Sequence, residues 1–157
     1  MLFRSSLHLE GQIHKKMNDN QSAIEAFRKA SRMKSNLLGD HENTADSFYC
    51  LGESHLDQGE YEAAVRAFQE AARIRSNIRG GGGGVELVES YRLAAFTYHR
   101  LGVAQYRLED LRGALASLQE ASRLRREALV EDQLTDEILQ LINLVCEDLS
   151  AGELDCD

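Results

Sequence analysis

The chain contains 157 residues with a formal net charge of −8, of which 43% are hydrophobic and 28% are charged. This length suits one domain of ordinary size, and this composition excludes a disordered chain. No apolar run approaches the roughly 20 residues of a membrane span and no secretory leader follows Met1, so we expect a soluble, cytoplasmic protein. The absence of proline and the abundance of Ala, Leu, Glu and Arg favour an all-α fold.

The sequence repeats itself along most of its length. A shift of 41 residues gives the identities Ser6/Ser47, Gly11/Gly52, His14/His55, Ala23/Ala64, Ala26/Ala67, Phe27/Phe68, Ala30/Ala71, Arg32/Arg73, Ser35/Ser76, Asn36/Asn77 and Gly39/Gly80. A shift of 50 residues gives Leu51/Leu101, Gly52/Gly102, Ala64/Ala114, Gln69/Gln119, Glu70/Glu120, Ala71/Ala121, Arg73/Arg123 and Arg75/Arg125. Because both shifts recover the same glycine and alanine positions, we infer tandem repeats.

Each repeat contains two predicted helices, as the middle repeat illustrates. Apolar residues recur at helical spacing from Ala45 to Leu56, Gly59 interrupts the pattern, and a second apolar face follows from residue 61. The small Gly52 and Ala64 are predicted to let the two helices approach closely, with Phe68 filling the space beside them. A single helix pair cannot bury its apolar face alone, so the pairs are expected to stack into a solenoid.

The segments between repeats differ. Gly39 is predicted to end one helix in a left-handed conformation, and Asp40 is predicted to cap the next. The corresponding segment after the second repeat is Gly80–Gly84, five consecutive glycines, for which we expect a mobile loop. A hinge, a loop that folds over a partner, an engineered spacer and simple tolerance of loop change remain alternatives for it. Residues 85–108 are predicted to form one long helix.

The last segment is predicted to be a capping helix over residues 132–149, with Thr135 as its N-cap, followed by an acidic tail at residues 150–157. No Lys or Arg follows Arg126, and ten acidic residues do, which argues against a nucleic-acid partner. The predicted apolar stripe of the helix consists of Leu134, Ile138, Leu141, Ile142, Val145 and Leu149.

These positions resemble the tetratricopeptide repeat (TPR). In the second repeat, its pattern of apolar, Leu, Gly, aromatic, Ala, aromatic and Ala positions corresponds to Phe48, Leu51, Gly52, His55, Ala64, Phe68 and Ala71. The 41-residue spacing and the segment 38–45 are similar to the longer repeat of kinesin light chains, although Glu42 replaces the usual proline. The resemblance implies an α-solenoid of three TPR hairpins and a C-terminal capping helix, wound as a right-handed superhelix. It divides a single domain, residues 1–150, into repeats at 1–38, 41–79 and 85–129.

Sequence motifs for catalysis are lacking. The glycine run has no following Lys-Ser or Lys-Thr, and no GxSxG, HExxH or CxxC motif occurs. The five histidines are scattered, and Cys50, Cys146 and Cys156 form no CxxC pair, which suits a reducing compartment. We therefore expect no enzyme activity, no cofactor and no metal site.

The resemblance also implies a partner-binding groove lined by the first helix of each repeat. The groove residues it implies are His8, Gln12, Lys15, Lys16, Tyr49, Glu53, Phe96, His99, Arg100, Val103, Tyr106 and Arg107. Repeat domains that bind chaperone C-terminal carboxylates have Lys, Asn and Arg at positions where this chain has His8, Gln12, Cys50, Phe96 and Arg100. Only Arg100 matches, so a chaperone carboxylate is not the expected ligand. The resemblance to kinesin light chains implies instead an extended acidic peptide that contains an aromatic residue. The cations Lys15, Lys16, Arg100 and Arg107 suit such a ligand, unless they are merely solvated.

The predicted function is accordingly a non-catalytic interaction module of the scaffold or adaptor type, with a protein or peptide ligand and neither a nucleic acid nor a membrane as partner. Two alternatives remain. The first is a structural module that forms a homodimer through its N-terminal hairpin, where Met1, Leu2 and Phe3 begin the first helix. The second is a sensor fragment of a larger signalling or innate-immune receptor.

Overall fold

The computed structural model describes residues 2–78, 85–129 and 132–154, and every regular element within those ranges is an α-helix. The helices are α1 (Leu2–Lys16), α2 (Asn20–Leu38), α3 (Glu42–Asp57), α4 (Tyr61–Ile78), α5 (Val85–Arg107), α6 (Leu111–Glu127) and α7 (Gln133–Leu154). Helices α1 and α2 form hairpin 1, α3 and α4 form hairpin 2, and α5 and α6 form hairpin 3. The predicted all-α fold of three helix pairs and a final helix is therefore confirmed.

The chain divides into two compact units. Unit 1 (Met1–Gly81) contains hairpins 1 and 2, and unit 2 (Gly82–Asp157) contains hairpin 3 and α7. The predicted mobile loop at Gly80–Gly84 and the side chains of Met1, Leu2 and Phe3 lie outside the described residues. Within the described ranges, no helix combines the length and the apolar character needed to cross a bilayer.

The same turn joins the two helices of every hairpin. One residue with positive φ stands at the corresponding point of each turn: Asn18 at 57°, Gly59 at 76° and Glu109 at 61°. The left-handed conformation reverses the chain within a few residues, and glycine is the side chain that adopts it most readily. In the two turns without glycine, the next residue caps the following helix: Asp19 accepts from the Ser22 amide and Asp110 from the Gly113 amide.

A shared contact fixes the separation of the two helices in each hairpin. A Cβ atom on Gly11 would lie 2.7 Å from the ring of Phe27, and one on Gly52 would lie 2.7 Å from the ring of Phe68. A Cβ atom on Gly102 would meet Leu118 at the same distance. The prediction that small residues allow close helix approach is therefore confirmed.

Hairpin 1 packs on hairpin 2 through α2 and α3. Ile24 and Phe27 of α2 share a buried apolar cluster with Leu51 of α3 and Ala67 of α4. Beside this cluster, Lys34 reaches from α2 to α3, where its Nζ donates to the Ser47 hydroxyl at 2.8 Å and to the Asn43 carbonyl at 3.0 Å. The buried ammonium thus obtains polar partners, which a buried charge requires.

The linker between hairpins corrects one prediction. Gly39 has a φ of +60° and ends α2, as predicted, but the residue that caps α3 is His41, whose Nδ1 accepts from the Asn43 amide at 3.1 Å. Asp40, the predicted cap, instead accepts hydrogen bonds from Arg73 at 2.9 and 3.0 Å and from Asn77 at 2.7 Å, both on α4. A carboxylate gains more from a bidentate arginine than from one helix-end amide, which explains the exchange of roles.

Helix α7 packs on α6 through the predicted stripe, with Val145 in one cluster with Ala114 and Leu118. Its cap was predicted wrongly. Asp132 accepts from the amides of Leu134 and Thr135, whereas the Thr135 hydroxyl accepts from the buried Arg125. The helix also continues to Leu154, past the predicted start of the tail at residue 150, because no helix breaker stands at its predicted end.

Candidate partner-binding site

The predicted groove residues fall into two clusters, one in each compact unit. The unit 1 cluster lies on α1 and α3 and consists of His8, Gln12, Lys15, Lys16, Tyr49 and Glu53. The unit 2 cluster lies on α5 and consists of Phe96, His99, Arg100, Val103, Tyr106 and Arg107.

In unit 1, the cations and acids of the cluster face one another. Lys15 Nζ on α1 lies 3.8 Å from a carboxylate oxygen of Glu53 and 3.2 Å from one of Asp57, both on α3. Gln12 and Lys16 are exposed one turn apart on α1. The positive charge of Lys15 is therefore balanced within unit 1, and an acidic ligand would compete with two carboxylates for it.

His8 belongs to a polar network between α1 and α3. Its Nδ1 lies 3.3 Å from the Ser47 hydroxyl, its Nε2 lies 3.2 Å from the Gln12 amide nitrogen, and its ring packs edge-on against Phe27. Burial, and then the charge of Lys34, lowers the pKa of His8. Burial also lowers the pKa of Lys34. The half-buried imidazole thus takes part in the internal packing of unit 1 and is only partly available to a ligand.

Tyr49 contributes to the packing of hairpin 2. Its ring packs edge-on against Phe68 at 5.6 Å, and the guanidinium of Arg75 lies 5.5 Å from its centroid. Arg75 is only 3% exposed and donates to Glu42 at 2.8 Å and to Asp46 at 2.6 Å. The tyrosine ring therefore lies against a buried guanidinium that pairs with two partly exposed carboxylates.

In unit 2, four of the predicted residues share one face of α5. Phe96, Arg100, Val103 and Arg107 follow one another at steps of four, three and four residues, which is one stripe of a helix. Phe96 is 39% exposed and Arg107 is exposed, while Arg100 and Val103 are half-buried. An aromatic ring, an aliphatic side chain and two guanidinium groups thus line one helical surface.

The other two predicted residues of α5 are engaged inside unit 2. His99 is 7% exposed, and burial, followed by the charge of Arg100, lowers its pKa. The Tyr106 hydroxyl donates to the carboxylate of Asp148 on α7 at 2.9 Å, and this bond raises the pKa of the tyrosine. Tyr106 therefore ties α5 to α7.

Sequence reasoning missed a set of buried cations at the ends of the second helices. Lys34, Arg75 and Arg125 are buried and stand at one repeat position, and each reaches a neighbouring helix or its N-terminus. The signal was present, because the shifts of 41 and 50 residues align these cations. The identity Arg75/Arg125 alone does not indicate that these side chains are buried.

The described residues offer little for catalysis or metal binding. No cluster of His, Cys, Asp and Glu able to hold a metal ion occurs among them. Burial raises the pKa of the Cys50 thiol to about 11, which suppresses its nucleophilic form. An open cleft of about 260 Å³ in unit 1 is lined by Arg28, Phe48, Leu51, His55, Ala63, Arg66, Ala67 and Glu70. Another, of about 500 Å³, is lined by Ala116, Gln119, Glu120, Ser122, Arg123, Arg126 and Ile142.

Repeated helical hairpins with a shared glycine contact, followed by a further helix, define a helical-repeat protein. A family model described as the tetratricopeptide repeat matches residues 3–77. The match spans hairpins 1 and 2 and covers just under half of the chain. Solved structures of TPR domains share the fold of the chain. No curated protein matches its sequence.

Three solved structures illustrate the similarity of fold. The TPR2AB domain of yeast Sti1, in its pHSP90 complex, aligns with 98% of this chain and is 19% identical, with a TM-score of 0.69, and the chain spans 50% of that structure. The TPR2B domain of yeast Sti1, in its pHsp70 complex, aligns with 94% of this chain and is 16% identical, with a TM-score of 0.70 and 99% of that domain covered. A putative kinesin light chain from Podospora anserina with TPR-like repeats aligns with 94% of this chain and is 14% identical, with a TM-score of 0.64 and 74% of it covered.

Proposed function

We propose that this chain is a non-catalytic protein–protein interaction module that binds an acidic, aromatic-containing peptide along α5. The observation that carries the proposal is the stripe of Phe96, Arg100, Val103 and Arg107, in which an exposed phenylalanine lies in line with an exposed arginine. Aromatic and arginine side chains dominate the binding energy of protein interfaces. A guanidinium group can also hold a carboxylate with two parallel hydrogen bonds.

The comparisons support the general class of this function. The Sti1 domains that share the fold are described as complexes with pHSP90 and pHsp70, which supports a protein or peptide partner for this chain. The ligand proposed here differs in chemistry from a chain-terminal carboxylate. Four positions at which chaperone-binding repeats have Lys or Asn hold His8, Gln12, Cys50 and Phe96 in this chain. Arg100 and Arg107 can pair with acidic residues inside a peptide.

The α1–α3 cluster is assigned a secondary role in this proposal. Lys15 already faces Glu53 and Asp57, so an acidic ligand gains less there than at Arg107. Lys16 and Gln12 remain exposed and are available to extend a contact. Binding is therefore expected to depend more on α5 than on α1.

The test uses fluorescein-labelled peptides in which glutamates flank one tryptophan, titrated with the full chain and followed by fluorescence anisotropy. Phe96→Ala and Arg107→Glu are each expected to raise the Kd at least tenfold, and added salt is expected to weaken binding. Arg112→Glu on α6 makes the same charge change at another exposed position and serves as the matched control.

A peptide with lysines in place of the glutamates is expected to bind much more weakly. If both α5 variants bind the acidic peptide as tightly as the parent chain, or if the Arg112 control loses as much affinity as they do, then α5 is not the binding surface.

A further inference from the structure

Hairpins 1 and 2 are close copies of each other in geometry as well as in sequence. The ring of His8 meets Phe27 at 5.4 Å and 64°, and the ring of Tyr49 meets Phe68 at 5.6 Å and 61°. The histidine that ends the first helix faces the acid after the turn in both hairpins, as His14 with Asp19 and as His55 with Glu60. A surface found on one hairpin can therefore be sought at the same positions on the other.

Hairpin 2 has a surface that receives the preceding helix and the acid beyond it. Helix α2 packs its apolar side against Leu51 of α3, and Lys34 donates to the Ser47 hydroxyl at 2.8 Å. Two residues past the end of α2, the Asp40 carboxylate is held by both terminal nitrogens of Arg73 and by the side-chain amide of Asn77. Arg73 and Asn77 form a carboxylate clasp one helical turn apart on α4.

Hairpin 1 carries the same polar groups at the same positions. Arg32 and Asn36 on α2 correspond to Arg73 and Asn77, and Ser6 on α1 corresponds to Ser47. All three are exposed. Because Arg32 and Asn36 repeat both the identity and the spacing of a pair that binds a carboxylate in this protein, they are pre-arranged to bind another.

The apolar part of that surface is present as well. Leu9, Ile13 and Met17 follow one another at four-residue steps and are 55%, 50% and 69% exposed. The position of Ile13 corresponds to Ser54 on α3, which is fully buried. Exposed apolar stripes of this kind mark interaction surfaces. Glu10 stands where α3 has Leu51, so this copy of the surface is more acidic.

We propose that hairpin 1 binds an amphipathic helix of a partner that ends in an acidic residue. The helix lies on the stripe of Leu9, Ile13 and Met17, and Arg32 and Asn36 bind the acid. The chemistry of the ligand follows that of α2 and Asp40. It has an apolar side of small and large residues, a basic residue within reach of Ser6, and a carboxylate about two residues beyond the last helical turn.

The test uses a labelled 21-residue peptide of this chain, residues 20–40, titrated with the full 157-residue chain by fluorescence anisotropy. Saturable binding is expected. Arg32→Ala in the chain, or Asp40→Asn in the peptide, is expected to raise the Kd roughly fivefold, the effect of an exposed bidentate ion pair. Combining both changes should cost little more than either alone, because the two groups contact each other. Glu10→Leu should tighten binding by restoring the apolar contact made by Leu51.

Two matched variants decide whether the site is hairpin 1. Lys29→Ala removes one exposed charge elsewhere on α2 and should leave the Kd unchanged. Arg73→Ala should also leave it unchanged, and a loss of binding in that variant would mean that the peptide displaces α2 from hairpin 2, which overturns the proposal. Equal binding by the parent and Arg32→Ala chains, or no binding by the parent, would overturn it too.

Sedimentation velocity tests the remaining alternative, in which the surface binds a second copy of the chain. A dimer that Arg32→Ala dissociates, together with no peptide binding, would assign the surface to self-association and refute the proposal. A monomer that binds the peptide supports it. Phe96→Ala and Arg107→Glu should not affect the peptide, so this result is independent of the test of α5.

Discussion

The ring of Phe68 occupies the space that a side chain on Gly52 would need. A Cβ atom at Gly52 would lie 2.7, 2.8 and 2.9 Å from three carbon atoms of that ring, closer than real Cβ contacts come. The same relationship holds for Gly11 with Phe27, and for Gly102 with Leu118. This one contact sets how closely the helices of each hairpin approach, and therefore which side chains of α1, α3 and α5 remain on the surface.

Gly52→Ala is expected to destabilise the chain by about 1–3 kcal/mol. The added methyl group must push a fully buried ring out of a packed core, and this overpacking outweighs the better helix propensity of alanine. Urea unfolding followed by circular dichroism measures the change. Gly152→Ala on α7 is the matched control, since a Cβ atom there would meet nothing within 4 Å.

The double variant Gly52→Ala with Phe68→Ala adds a further check. If the clash with the ring is the cause, the second substitution should remove the cost of the first, and the two free-energy changes should not add. Additive changes would show that Gly52 matters for a reason other than Phe68.

Arg75→Ala is expected to destabilise unit 1 by about 2–3 kcal/mol. The substitution removes a buried guanidinium that holds Glu42 and Asp46 and lies against Tyr49, although both acids keep access to water and so limit the loss. Arg75→Met should cost less, because it keeps most of the packing.

Arg66→Ala, an exposed position on the same helix, should change stability by no more than about 0.5 kcal/mol. Urea midpoints of the variants provide the comparison. If the Arg75→Ala protein is as stable as the Arg66→Ala protein, the contacts of Arg75 with Glu42, Asp46 and Tyr49 do not stabilise unit 1.

Acidification below pH 6.5 is expected to destabilise the fold through His8 and His99. Burial lowers the pKa of both groups, aided by the charge of Lys34 for His8 and of Arg100 for His99. As the pH falls below 6.5, these histidines take up protons in the unfolded chain before they do so in the folded chain. The free energy of unfolding therefore decreases with falling pH, and the decrease stops once the pH is below the folded-state pKa of each histidine.

His8→Asn and His99→Asn should each flatten this dependence, with the larger effect in the double variant. Asp46 on α3 and Glu137 on α7 oppose the shifts, so replacing either with its amide should steepen the dependence. Urea unfolding at pH values from 5 to 8 measures the slopes, and a double variant with the parent slope would exclude these two histidines as its source.

The fold could be predicted because its determinants recur. Gly52, Ala64 and Phe68 appear again at fixed shifts, and a core contact that repeats must be satisfied in the same way each time. The cap at Asp132 and the capping role of His41 were missed because several polar residues compete at a helix start. Which of them caps depends on whether another, such as Asp40 or Thr135, has a partner on a distant helix.

The surface was harder to predict than the core. The sequence placed Lys15, Tyr49, His99 and Tyr106 on the first helices, but their present partners, Glu53, Arg75 and Asp148 among them, lie on neighbouring helices. Such ion pairs and hydrogen bonds have no periodic signature along the chain. The repeat offers one exception, because the aligned cations Lys34, Arg75 and Arg125 each contact a neighbouring helix or its N-terminus.

Cys50 is expected to react with thiol reagents far more slowly than Cys146 in the folded protein. Burial raises the pKa of the Cys50 thiol to about 11, and nearby Asp46 adds to this shift, whereas Cys146 is exposed. The thiolate is the reacting form, so a thiol with this pKa is almost entirely protonated at pH 7.5. In a Cys156→Ser background, Ellman's reagent should therefore modify one thiol rapidly and the second at least a hundredfold more slowly.

The slow thiol should be absent from a Cys50→Ser variant and the fast one from a Cys146→Ser variant. Full unfolding in guanidinium chloride should equalise the two rates, since the shift comes from burial in the fold. Lys15 and Arg75 lower the pKa of Cys50 against the larger effect of burial, so Lys15→Ala should slow the Cys50 reaction further. A Cys50 thiol that reacts as fast as Cys146 in the native state would mean that α3 opens readily at this point. That result would contradict the packing of Cys50 against the apolar cluster between α2 and α3.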